Sequence, residues 1–390
     1  MKRKLRMGMI GGGQGAFIGS VHRIAANMDG LIELVCGCFS SDPDNSRKTG
    51  ESLFLPANRV YASYREMFEQ EKALPADQRM DFVAIVTPNH MHFEPAQLAL
   101  ESGFHVVVEK PMTFDLMEAR ALQETVRQTG NLLCLTHTYS GYPMVKQARA
   151  MIRTGALGKI RKVVVQYPQG WLSRFSESEG NKQASWRTHP GKSGKSGAMG
   201  DIGTHAAHLA EYITGLRITE LCADLTTFVD GRLLDDDGNV LLRFDNGAKG
   251  ALIASQISAG EENALQICVY GEKGGLEWAQ EDPNNLIIKP LDHPRQVYRT
   301  GNNYKAPFGM DAFVGHNTRL PSGHPEGMLE AFANIYRNFA LTIQARLENR
   351  EAEAAALDFP TVEDGVRGMA FIDSVVASSQ SEAKWTRLES

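Results

Sequence analysis

The sequence predicts an α/β protein in two parts: an N-terminal Rossmann-type, doubly wound parallel sheet and a C-terminal α+β domain with a large, mostly antiparallel sheet. Three observations carry this. Short apolar runs alternate with helical stretches as far as residue 135, the pattern of a parallel sheet with crossover helices. After Gly158 strand-like runs follow one another directly, separated by turn signals. The chain has 390 residues, long for one core, so a division into 1–140 and 141–390 is expected.

Taken in order, Met7–Gly19 (MGMIGGGQGAFIG) runs from an apolar lead-in through Gly11, Gly12, Gly13 and Gly15 into a helical segment expected from about Val21 to Asn27. It reads G-x-G-x-x-A, with Gly11, Gly13 and Ala16 at the three small positions. The first glycine permits a tight turn, and the second lets the backbone approach a pyrophosphate. The third small residue lets helix and strand pack closely, with the helix amides facing the phosphates. Gln14, Gly15, Phe17 and Ile18 complete this cofactor segment. Leu31–Phe39 is a second strand, at whose end a ribose-gripping acid is expected. Ser40 and Ser41 stand there, with Asp42 next and Arg47 beyond. Small hydroxyls beside an arginine suit NADP, while Asp42 could serve NAD, so both cofactors stay open.

Strands follow at 81–86 and 105–108, with helices at 92–102 and 115–129 ending at Gly103 and Gly130, and a strand at 132–135. Beyond Gly158, strands are expected at 160–167, 221–229, 240–244, 248–257, 264–270, 276–279, 286–289 and 296–299. Residues 290–327 form a long irregular loop, and such loops are usually functional. Helices at 327–347 and 363–378 close the chain, the latter opened by a Thr361/Asp364 capping box.

Lys and Arg total 41 against 46 Asp and Glu, a formal charge of −5, and no basic run is interleaved with aromatics. That argues against nucleic acid as a partner. The basic opening Met1–Lys4 is followed by no apolar stretch of signal or membrane length. Five scattered cysteines without a C-x-x-C pair fit a reduced, cytoplasmic protein, with Cys36 and Cys38 as small core residues on one strand face. GKSGKSG (191–197) lacks the Walker spacing, and Asp235–Gly238 lacks the remaining ligands of a calcium loop and is expected to be a hairpin turn.

Two places carry acid–base chemistry. Lys110 ends a parallel strand beside Pro111, where ligands of doubly wound sheets bind, and a lysine there can move a proton or donate to a hydroxyl. In GDIGTHAAHL, Asp201 and His205 are spaced i, i+4 on one helix face, so the carboxylate can orient the imidazole. His208 is three residues on, but no further ligand cluster accompanies it and no metal is expected.

Together GGGQGAFIG, TPNHMH (87–92), EKP (109–111), GDIGTH (200–205) and VEDGVRGMAF (362–371) make the chain resemble the Gfo/Idh/MocA oxidoreductases, the glucose–fructose oxidoreductase and inositol dehydrogenase type, over nearly its whole length. The resemblance implies NAD(P)-linked oxidation of a secondary hydroxyl in a sugar, sugar derivative or cyclitol, and assembly as a homodimer or homotetramer through the C-terminal sheet. It makes Lys110 the residue touching nicotinamide ribose and reacting hydroxyl, His205 the general base and Asp201 its partner. Thr87, Pro88, Asn89, His92, Glu109 and Pro111 join the cofactor residues. Trp186–Arg187, His137, Tyr139 and His324 in PSGHPEG become substrate contacts alongside Asp201 and His205. Ser40 departs from the family's usual acid. The same Lys, Asp and His could also start a redox-neutral reaction that oxidises a glycoside, eliminates the aglycone and returns the hydride.

Overall fold

The computed structural model describes residues 3–305 and 308–389; Met1 and Lys2 of the basic opening, and residues 306 and 307 of the long loop, lie outside it. The chain divides into two compact units, Met1–Thr136 with Phe332–Val366, and His137–Ala331 with Arg367–Ser390.

The first unit alternates β1 (Leu5–Gly11), α1 (Phe17–Asn27), β2 (Ile32–Cys38), α2 (Pro43–Ser52), α3 (Tyr64–Ala73), β3 (Phe82–Val86), α4 (Phe93–Glu101), β4 (His105–Val108), α5 (Leu116–Thr129) and β5 (Leu133–Leu135). Its five strands are all parallel, in the order β2-β1-β3-β4-β5. β3 is buried at every position, as a strand covered on both faces must be. Asp115 caps α5 by accepting from the Glu118 amide, and Gly130 ends it in the left-handed conformation.

The second unit contains α6 (Pro143–Arg153), β6 (Ile160–Pro168), the short helices α7 (Lys182–Arg187) and α8 (Pro190–Ser193), then a π-helical turn Met199–Gly203 leading into α9 (Thr204–Thr214). Strands β7 (Ile218–Thr226), β8 (Asp237–Phe244), β9 (Lys249–Ser255), β10 (Gln266–Gly271), β11 (Gly274–Ala279), β12 (Asn285–Pro290) and β13 (Gln296–Arg299) follow. The short helix α10 (Ala312–His316) interrupts the long loop; then come α11 (Met328–Leu347), α12 (Val362–Ser379) and β14 (Thr386–Arg387). The nine-stranded sheet runs β13-β12-β11-β10-β6-β9-β8-β7-β14, antiparallel except for β6 against β9. In β8 and β9 alternate residues are buried, so one face of the sheet is packed and the other is half open.

Four local expectations need correction. The division at residue 140 gave all of 141–390 to the second domain, whereas Phe332–Val366 packs with the first unit. There Phe332, Tyr336, Phe339 and Ile343 join the core around Phe82, whose ring meets Phe339 edge-on at 5.5 Å. Residues 227–229 leave β7, because the amides of Phe228 and Val229 donate to the Asp236 carboxylate. Asp235–Gly238 is no tight hairpin: a loop of residues 227–236 joins β7 to β8. Lastly α2, α3 and α6 have no counterpart in the sequence reading. α2 (PDNSRKTGES) buries only Ser46, Thr49 and Gly50, too polar a face for hydrophobic periodicity to register.

The N-terminal end of α12 behaves as its sequence suggests. The Asp364 carboxylate accepts from the Thr361 amide at 2.7 Å, the reciprocal half of a capping box.

Candidate active site

The glycine turn connects β1 to α1. Gly11 and Gly12 have φ of +84° and +72°, and a Cβ on Gly13 would stand 2.6 Å from Asn45 Oδ1 and 2.8 Å from the Phe39 carbonyl. The closest helix–strand approach is made by Gly19, where a Cβ would lie 2.4 Å from Gly12 Cα. The small-residue role expected of Ala16 therefore falls to Gly19, one turn into α1. Ala16 instead precedes the helix in an extended conformation, and no side chain caps the first amides of α1. An uncapped helix start behind a turn this bare of side chains fits an anionic pyrophosphate.

At the end of β2, Ser40 Oγ accepts from the Asp42 amide at 3.1 Å. Asp42 caps α2 by accepting from the Asp44 amide at 3.0 Å. Arg47, exposed on α2, pairs with Glu51 at 2.7 Å and Asp44 at 3.5 Å. This local order accommodates either cofactor.

The end of β4 is held by several side chains of the first unit. Glu109 Oε1 accepts from Thr136 Oγ1 at 2.7 Å and meets His22 Nε2 at 2.8 Å, while Oε2 accepts from the Lys110 amide at 3.2 Å. Burial pushes the Glu109 carboxyl up, but His22, Lys110 and Thr136 outweigh it and bring it down to about 2. His22 in turn meets the Tyr336 hydroxyl through Nδ1 at 2.6 Å. Lys110 is half-buried, and the Lys110–Pro111 bond is cis. His92 is fully buried, with Nδ1 2.9 Å from the Pro111 carbonyl and Nε2 2.8 Å from that of Thr87. It thus ties TPNHMH to EKP. Thr87 Oγ1 donates to the Met91 carbonyl, and Asn89 is buried in the short 3₁₀ turn after Pro88.

In the second unit, Asp201 lies in the π-helical turn and His205 in the first turn of α9, so the segment is not the continuous α-helix expected. Single π turns inside helices are frequent at functional sites. Asp201 accepts from Gln256 Nε2 at 2.9 Å and lies 3.5 Å from the Arg187 guanidinium. Arg187 also stacks over the Trp186 ring, 4.2 Å from its centroid. His205 Nδ1 is 3.3 Å from His137 Nδ1, and its ring meets Tyr139 edge-on at 4.9 Å. His137 is stacked on His208 at 4.2 Å.

The structure therefore brings His137, Tyr139 and His205 together and joins Trp186, Arg187 and Asp201 into a second group. His324 sits on an exposed turn, 321–324, with no side-chain hydrogen bond among the described residues. No group of three or more His, Cys, Asp or Glu suited to a metal occurs among the described residues.

Sequence reasoning missed a set of neutral polar residues at the ends of β6 and β9. The Tyr139 and Tyr167 hydroxyls are in hydrogen-bond contact. Asn263 Oδ1 accepts from Tyr167 and from Gln169, each at 2.7 Å, and Gln256 bonds Asp201. Burial raises the tyrosine hydroxyls, Tyr167 far above its ordinary value, so both remain neutral donors. The available signal was a run of amides and hydroxyls just past two strands. Asp235, expected only as part of a hairpin turn, has a further role: its half-buried carboxylate accepts from Gly197 N at 2.8 Å, Met199 N at 3.0 Å and Ser196 Oγ at 3.0 Å, holding the start of the π turn.

Residues 5–137 match the model described as "Oxidoreductase family, NAD-binding Rossmann fold", and residues 145–277 match the GFO/IDH/MocA C-terminal domain. An uncharacterized oxidoreductase of Bacillus subtilis, YfiI, is 32% identical over 100% of this chain and 98% of its own length. A crystal structure of an oxidoreductase from Sinorhizobium meliloti is 43% identical with a TM-score of 0.88, covering 99% of this chain and 100% of that one. An inositol dehydrogenase homolog from Azotobacter vinelandii, solved with NAD+, is 35% identical with a TM-score of 0.92, covering 99% and 98%. The same homolog solved with NADH and myo-inositol gives 34% and 0.89 over the same shares. The chain belongs to the Gfo/Idh/MocA oxidoreductase family, and its N-terminal Rossmann domain binds NAD or NADP.

Proposed function

We propose that the chain oxidises a secondary hydroxyl of a sugar, sugar derivative or cyclitol, with Lys110 and His205 handling the proton and Asp201 orienting. The observation that carries this reading is the polar group around Asp201 and His205. It is rich in neutral amides, hydroxyls and imidazoles, the donors and acceptors that recognise a polyol.

When bound, the nicotinamide supplies a hydride acceptor. The alcohol's C–H bond breaks with its electron pair, and the hydroxyl proton must leave in the same event. His205 takes that proton on a ring nitrogen, an imidazole being suited to this at neutral pH. Lys110 donates to the reacting oxygen and to the nicotinamide ribose. Asp201, beside Gln256 and Arg187, orients the neighbouring hydroxyls, and His137, Tyr139 and Trp186 complete the substrate contacts.

We assign oligomerisation to the open face of the nine-stranded sheet, as a homodimer or homotetramer. Strand register aligns Cys222, Leu241, Ala251, Val164 and Cys268 across it and continues through Glu277 and Ile287 to Val297, and Leu241 and Val297 are each 51% exposed. Such a row, apolar at every position but Glu277, fits a second copy of the same face.

The test follows reduced-nicotinamide absorbance with NAD and NADP separately, against a panel that includes myo-inositol, glucosides and free sugars. A rising signal with one class is the expected result. Aglycone release without net reduction would replace it with the redox-neutral cycle, and cofactor binding with no turnover of any kind would overturn both.

A further inference from the structure

Among the buried titratable groups of the first unit, His22 and Tyr336 take no part in the chemistry above, yet both are fully buried and hydrogen-bonded in series. We propose that His22 is a positioning residue: through Glu109 it fixes the backbone of Lys110, linking the helix that opens at the glycine turn to the strand end that carries the lysine. This rests on the reading of Lys110 given above.

The geometry supplies the argument. His22 sits on α1, one turn beyond Ile18, and reaches the end of β4 through the 2.8 Å contact to Glu109 Oε1. An ionised carboxylate only accepts, so the hydrogen of that contact is on His22 Nε2. Tyr336 keeps its hydroxyl hydrogen, since burial raises it well above its ordinary value. Whichever partner supplies the hydrogen between Nδ1 and the Tyr336 hydroxyl, Nε2 keeps its hydrogen on Glu109. Glu109 Oε2 passes that order on by accepting the Lys110 amide. A side chain that merely filled space here would need none of these bonds, and leaving the Glu109 side chain, only 12% exposed, short of a donor is costly.

The groups that face Glu109 are His22 from α1, Thr136 just past β5, the adjoining Lys110, and His92 and Tyr336 as further neighbours. Of these, His22 gives the largest opposition to burial. Without it, burial wins and Glu109 takes up a proton at a higher pH.

The experiment is a double-mutant cycle in the full chain, read as the dissociation constant for NADH by fluorescence titration. Lys110→Ala is expected to raise it about threefold to tenfold, His22→Leu by a similar factor, and the double variant by no more than Lys110→Ala alone. The acid limb of NADH binding should also move upward in His22→Leu and return in His22→Gln, which keeps a donor for Glu109. Tyr336→Phe, which removes one oxygen, gives the same non-additivity with a smaller factor if His22→Leu does not fold. Additive effects, or an acid limb that stays in place, would overturn the positioning role while leaving Lys110 intact. An unchanged constant in Lys110→Ala would instead remove the Lys110 reading, and this inference with it.

Discussion

Glu109 and Asp201 are both carboxylates in candidate sites, but their surroundings differ in kind. Glu109 is enclosed by His22, Thr136 and the Lys110 amide, and is held ionised with a pKa of about 2. Asp201 is about as shielded, its side chain 17% exposed against 12% for Glu109, but it bonds a neutral Gln256 and lies 3.5 Å from Arg187. Removing a charge-assisted bond from a carboxylate held by several donors costs more than exchanging a neutral partner. The first arrangement suits a group that must not move. The second suits one that trades protein partners for substrate hydroxyls.

That contrast can be broken most directly at the proton-handling residues. Lys110→Ala and His205→Ala are each expected to lower kcat by about 10²- to 10⁴-fold in steady-state assays. Near-normal rates in both would leave neither region with a chemical role. Next in size is Phe339→Ala, which opens a cavity beside Phe82 and should cost about 3–5 kcal/mol in denaturant unfolding. A small loss there would mean that 332–366 does not share the first unit's core.

The contrast sharpens with pH. Glu109 titrates below its ordinary value, so its contribution, on the order of 3 kcal/mol, is fully present above about pH 4.5 and is lost as the pH falls toward 2. Glu109→Gln should flatten that part of an acid-unfolding curve, whereas Asp201→Asn should leave it unchanged and act on substrate KM. Smallest is Arg47→Ala on the exposed face of α2: stability should change by less than about 0.5 kcal/mol. A selective rise in KM for NADP would identify the preferred cofactor's phosphate contact, and no change in either KM would remove Arg47 from the site.

Legibility in the sequence followed the physics. Buried parallel strands announce themselves as apolar runs, so β2 through β5 fell within a residue or two of where Leu31–Phe39, 81–86, 105–108 and 132–135 placed them. α2 and α3 were invisible because their buried faces are short and carry groups such as Ser46, Thr49 and Glu71. Lys110, Asp201 and His205 could be named from motifs. Their partners could not, because His22, Gln256 and Asp235 lie 87, 55 and tens of residues away from the groups they support. Even the correct i, i+4 spacing of Asp201 and His205 concealed a π turn, since glycines on both sides of Ile202 permit either winding.

The latch formed by Asp235 has a consequence for transplanting or recombining pieces of this protein. The backbone that presents Asp201 is pinned from a loop that follows a separate strand, by a carboxylate taking Gly197 N, Met199 N and Ser196 Oγ and by the Asp235 carbonyl taking Ala198 N at 2.8 Å. A chimera that imports GDIGTH without the β7–β8 loop would carry the signature but not the fastening. Those two segments form one inheritable module, although Met199 and Asp235, 36 positions apart in the chain, are separated only in order and not in space.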